Sequence, residues 1–177
     1  MKSTHLRTMY SPYFSSIRFS FYKTNLALSF SPWPGKEHIG SGQYMPKKYL
    51  NTTISDENAA ALYLLAKNIA EGTQVNPIQY VIECNNQTML TFEHDLDQTF
   101  FTIEKDNEKI VFQFVTHQFK EKENGKIVTK TIQSGLLFFS EILQAYLTAI
   151  AEDRQQDSQP YAGGNGSNPQ KHSSGWR

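Results

Sequence analysis

Acidic residues are nearly missing from the first fifty positions of this 177-residue chain, where Glu37 stands alone against seven Lys or Arg. Positions 51 to 177 reverse the balance, with sixteen acids against ten bases, so a formal net charge of zero conceals a polarised molecule. Cysteine is almost absent too: Cys84 is single, and no internal disulfide can form. Its place in the alternation Ile78, Tyr80, Ile82, Cys84 marks it as a small buried hydrophobe rather than a reactive thiol, and a reducing, intracellular setting fits. No eighteen consecutive residues are apolar, and the opening MKSTHLRTMYSPYFSS lacks the apolar centre of a secretory signal. The chain therefore reads as soluble, not exported and without a membrane partner.

Catalytic signatures are missing as well. The glycine-flanked serine of hydrolases does not occur, and Gly40-Ser41-Gly42 lacks the lysine and helix that a phosphate-cradling loop needs. His5, His38, His94, His117 and His172 are scattered without ligand spacing, and read as surface or edge residues. Glu93-His94-Asp95 is the one acid-base cluster, and a turn accounts for it. The acids Glu93, Asp95, Asp97, Glu104, Asp106 and Glu108 fall at strand ends and turns as a solvated rim, with no fixed carboxylate spacing for a metal. No enzyme, metal or cofactor is expected.

What is present is room for one domain, because a chain of this length buries enough surface to need no covalent staple. From Glu152 onward Gly, Ser, Asn, Gln and Pro dominate, and such a stretch cannot offset its ordering entropy. Residues 153–177 are therefore expected to be a disordered tail: either a plain disordered end or, by its resemblance to the usually more acidic tails with which single-strand binding proteins recruit replication partners, one that docks a replication protein through Trp176 and Arg177. Ahead of it Leu136, Phe139, Leu143, Tyr146, Leu147 and Ile150 recur at helical spacing, with Ser134 placed to cap the start. Leu137, Phe138 and Ile142 widen this stripe, which predicts a helix packed in the core or at a subunit interface. A second helix follows Ser55, carries Leu62, Leu65, Ala66 and Ile69, and stops at Gly72.

Between these helices the period drops to two, predicting strands over 77–84, 89–93, 99–104, 110–115 and 126–132. Turns at Asn85-Asn86, Lys105 to Asn107 and Glu123-Asn124-Gly125 separate them. The fold class is α+β: a curved antiparallel sheet of strand meanders with two helices. Residues 1–14 read as a flexible arm and 15–152 as the single domain.

The first fifty residues also hold ten of the 23 aromatics, so rings and cations interleave where acids are scarce. Cations replace phosphate counterions and rings stack bases, which is what a groove for single-stranded nucleic acid requires. Ile17, Phe19 and Phe21 alternate with Arg18, Ser20 and Tyr22, then the chain turns at Lys23, so one face is core and the other shows Arg18, Tyr22 and Lys23. The Pro-rich stretch that follows reads as an extended loop returning through a strand near Tyr44 to Thr53. It carries Trp33, Lys36, Tyr44, Lys47, Lys48 and Tyr49, which either close over a bound strand or plug the core edge and solvate the loop. Lys120, Lys122, Lys126 and Lys130 alternate along the last hairpin, predicting a cationic stripe on one face that extends the binding surface or discourages edge pairing.

This order of elements, meander, helix, second meander and closing helix over residues 15 to 152, resembles the Whirly and positive-coactivator type of single-stranded DNA-binding proteins, small bacteriophage members included. The short Lys-Gly-rich motif of the plant Whirly proteins has no counterpart here. The resemblance implies a curved sheet whose outer face binds the strand and helices that join subunits into a dimer or larger ring. The expectation is thus a homo-oligomeric, sequence-nonspecific single-stranded DNA-binding protein, RNA not excluded, that coats or protects DNA in replication or recombination, viral replication included. The rival is a structural or protein-interaction component that docks a partner through the basic aromatic segment.

Overall fold

The computed structural model describes residues 4–12, 15–22, 24–32, 36–40, 43–46 and 49–157. Its elements are β1 (Thr4–Tyr10), β2 (Ser15–Tyr22), β3 (Asn25–Pro32), β4 (Lys36–Gly40), β5 (Gln43–Pro46), β6 (Leu50–Ile54) and α1 (Asp56–Ala70). There follow β7 (Ile78–Cys84), β8 (Thr88–Asp95), β9 (Gln98–Lys105), β10 (Glu108–Gln113), β11 (His117–Glu123), β12 (Lys126–Ile132) and α2 (Ser134–Asp157). The class is α+β with antiparallel meanders, but the strands do not form one curved sheet. They divide into a first sheet ordered β1-β2-β3-β6, a second ordered β10-β9-β8-β7, and two separate hairpins, β4-β5 and β11-β12. Each half of the chain thus runs four meandering strands and a helix, with one hairpin inserted.

Side-chain alternation decides what each sheet buries. In the first, Ile17 pairs with Phe30 and Phe30 with Leu50, while Phe21 pairs with Leu26 and Leu26 with Ile54, and this face is interior. The second contributes Ile82, Leu90, Phe92, Phe101, Ile103 and Phe112. Phe139 of α2 sits where both meet, its ring 5.8 Å from Phe19, 5.8 Å from Phe101 and 5.1 Å from Phe114. Fully burying each such ring contributes roughly 1.5–3 kcal/mol. Phe19 is a core residue, as its alternation with Arg18 and Ser20 predicts, and Phe30 packs in the same interior.

α1 begins as its sequence predicts: the Ser55 hydroxyl accepts from the Asn58 N–H, and Gly72 ends it at a φ of +73°. α2 packs along α1, and Tyr146 locks the two together. Its buried hydroxyl lies 2.7 Å from Asp56 Oδ1 and 3.0 Å from the Thr24 carbonyl, while Arg154 donates to Asp56 Oδ2. Burial, and then the neighbouring Asp56 carboxylate, push the Tyr146 phenol well above its ordinary value. Over Ser134–Gln155 α2 is long and apolar enough to cross a membrane, with a mean hydropathy of 1.3. Leu136, Phe139, Leu143 and Tyr146 are nevertheless fully buried in the protein core.

Four expectations are corrected. Residues 4–10 are not a loose arm, because Leu6 and Met9 pack on the core and β1 pairs with β2 on both sides of a register shift between His5 and Arg7. α2 passes Glu152 and reaches Asp157, held by the Arg154 contact to Asp56. Ser134 does not cap α2; its hydroxyl donates to the Val115 carbonyl instead, at 3.3 Å. His94 occupies β8 rather than a turn, buried with Nδ1 2.7 Å from Thr99 Oγ1. The tail beyond Asp157 lies outside the described residues.

Candidate nucleic-acid interface

With Ile17, Phe19 and Phe21 turned inward, pleating sends the alternate residues of β2 outward, and the ladder aligns them with their neighbours. One row runs Thr8, Arg18, Ser29, Asn51 across all four strands of the first sheet. A second row holds His5, Ser20, Ala27 and Thr53; a third pairs Tyr10, Ser16 and Ser31, but Ser16 and Ser31 are buried and only Tyr10 of that row is exposed. Arg18 is exposed at the centre and forms no ion pair among the described residues. Tyr10 is 60% exposed at the β1 edge, a ring free to stack. Ser16 and Ser31 hydroxyls bond to each other at 2.7 Å, but most of the face consists of short hydroxyl and amide groups. No acid occurs among the described residues of these rows.

The second sheet is the opposite. Its outward positions include Glu83, Glu93 and Glu104 beside Val81, Met89 and Val111. Gln79 Nε2 donates to Glu93 at 2.7 Å and Lys109 meets Glu104 at 2.8 Å, so its cation is already neutralised. A polyanion approaching this face meets carboxylates. Approaching the first, it meets a guanidinium and hydrogen-bonding groups.

The β11-β12 hairpin does not carry the predicted four-lysine stripe. Asn124 and Gly125, at φ of +49° and +81°, form a two-residue turn that sets even-numbered residues of one strand beside odd-numbered residues of the other. Lys120 lies beside Thr129 and Lys122 beside Ile127 on one face, whereas Lys126 lies beside Glu123 and Lys130 beside Phe119 on the opposite face. Lys130 is held 2.7 Å from Glu121 and also contacts Glu123, and these two carboxylates, Glu121 first, raise its pKa. Only Lys120 and Lys122 remain as a same-face cation pair. Both strands are exposed along almost their whole length.

Of the other sequence-predicted residues, Tyr49 is 49% exposed just before β6. Lys23, Trp33, Lys47 and Lys48 lie outside the described residues, as do the side chains of Tyr22, Lys36 and Tyr44. Sequence reasoning missed Tyr10, Thr8 and Asn51 as members of the face. Their signal was pairing parity, which needs the partner strand and cannot be read from β1 or β6 alone. Cys84 is half-buried, and burial raises its thiol pKa, which suppresses the thiolate. No group of three or more metal-ligating side chains occurs among the described residues.

No protein-family model matches the chain, and comparisons with curated proteins and with solved structures give no match either.

Proposed function

We propose that the protein binds single-stranded nucleic acid without strong sequence dependence, on the outward face of the β1-β2-β3-β6 sheet, and that it coats or protects single-stranded DNA. The observation that carries this reading is the contrast between the two sheets: the first presents Arg18, Tyr10 and hydroxyl groups with no described acid, the second presents three glutamates. Phosphate contact from Arg18, Lys120 and Lys122 supplies affinity that any base sequence shares, and Tyr10 and Tyr49 offer rings for stacking. The basic segment outside the described residues adds cations from the same half of the chain.

The test is fluorescence anisotropy with a labelled, unstructured oligonucleotide. Affinity falls steeply between low and moderate salt, and Arg18→Ala weakens binding to every sequence alike. Absence of any oligonucleotide signal at low salt rejects the proposal. One observation favours a second reading, protein docking: Phe119, Ile127, Val128 and Ile132 are exposed large apolar residues on a hairpin that could scarcely persist without neighbours. In that case light scattering shows self-association that is lost when these residues are made polar, with no oligonucleotide bound.

A further inference from the structure

Where the first sheet meets the turns of the second, the surface is concave. A cleft of about 440 Å³ has Ser20, Ser29, Asn51 and Thr53 on its floor and the β7–β8 turn residues Asn85 and Asn86 on its wall, with Lys105 from the end of β9. The volume is within the range of small-molecule sites, about 300–1,000 Å³. Three features decide what such a space takes. Lys105 is the one cation among the lining residues and no acid is among them, so the complement is an anion. Three carboxamides border the cleft, and each offers a donor and an acceptor side by side, the pairing that reads a base edge. No aromatic residue lines it, so a base seated there is held by its edge and not by stacking.

The cleft also continues the interface. Ser29 and Asn51 belong to the row that contains Arg18, and Asn51 lies two strand spacings from it, about 10 Å. A strand that meets Arg18 with a phosphate and crosses the sheet toward β6 enters the cleft, whose far wall belongs to the other half of the chain.

We propose that this cleft seats one nucleotide of the bound strand, with Lys105 on its phosphate and the Asn51, Asn85 and Asn86 amides on its base edge, so that binding carries a base preference at that single position. This rests on the interface reading given above and refines it, since stacking and phosphate contact alone accept every base equally.

The experiment measures four homo-oligonucleotides against the full chain by anisotropy, with Lys105→Ala, Asn51→Ala and Ser29→Leu as variants. Ser29→Leu fills the cleft from a partly exposed position on the outer face and leaves the core untouched. The unaltered protein should spread the four affinities by roughly fivefold or more, the discrimination of a single good amide-base pair. Asn51→Ala and Ser29→Leu should collapse the spread, and Lys105→Ala should lower all four together. Free deoxynucleoside monophosphates should shift the amide resonances of Ser29 and Thr53, whereas inorganic phosphate alone should leave those floor residues unmoved. Equal binding of all four oligonucleotides, or a spread that survives both cleft variants, overturns the nucleotide seat while the interface stands. Floor resonances that respond equally to phosphate reduce the site to an anion pocket and likewise overturn it. If no oligonucleotide binds but the monophosphates do, the interface falls and the cleft remains as a free-nucleotide site.

Discussion

Gly135 opens α2 at a point where a side chain has no room. A Cβ there would lie 2.6 Å from the Val115 nitrogen and 3.0 Å from its oxygen, both backbone atoms. The Gly135 N–H donates to that same carbonyl at 2.8 Å, so the helix cannot withdraw without losing the bond. Gly135→Ala should therefore destabilise the fold by about 1–3 kcal/mol, read as a lower urea midpoint with an unchanged slope. His94 makes a different prediction, because burial holds its imidazole pKa below the ordinary 6.5. Between the folded and unfolded values the unfolded chain binds a proton that the folded chain refuses, so the contribution is complete above about pH 6.5 and is lost as pH falls through that window. Melting His94→Gln beside the parent from about pH 7.5 to about pH 5 should show the parent losing more stability on acidification. Parallel curves would mean that the ring is not desolvated.

At the scale of elements, the exposed hairpin separates two pairs of lysines that look equivalent in sequence. Replacing Lys120 and Lys122 by Ala should weaken oligonucleotide binding and make the plot of log affinity against log salt shallower by about 1.4, the share of two phosphate contacts to a single strand. The Lys126 and Lys130 double variant should leave that slope unchanged, since those side chains point the other way and Glu121 and Glu123 already occupy Lys130. Equal losses from both variants would contradict the register. The two-residue turn at Asn124-Gly125 was legible from its residues, and so, in principle, was the parity it imposes; counting lysines by even number along both strands ignored it. Other features were legible for local reasons: Ser55 and Gly72 act within one helical turn, and the alternation of Phe112 and Phe114 needs no partner to show a buried face. Ser134 failed as a cap because what its hydroxyl meets, the Val115 carbonyl, is supplied by another part of the chain. β1 was missed because Leu6 and Met9 are too sparse an apolar signal without β2 beside them. The division into two sheets depends on pairings such as β3 with β6, across the inserted β4-β5 hairpin, which no local pattern states.

For the whole molecule, a formal charge of zero means that long-range attraction cannot draw a polyanion to it indiscriminately. Affinity must come from local groups of cations, since charges further apart than about 8 Å are largely screened at physiological salt. Two substitutions distinguish a local field from a global one. Arg18→Glu and Glu83→Lys shift the total by the same amount in opposite senses, the first on the outward face of the β1-β2-β3-β6 sheet and the second on that of the β10-β9-β8-β7 sheet. If total charge governed binding, Glu83→Lys would strengthen it about as much as Arg18→Glu weakens it. If the face governs, Arg18→Glu should abolish measurable oligonucleotide binding while Glu83→Lys leaves affinity and stoichiometry at their parental values. Titration at two salt concentrations tells these apart, because a gain in Glu83→Lys confined to low salt is the mark of a non-specific second surface, whereas the loss in Arg18→Glu persists at both.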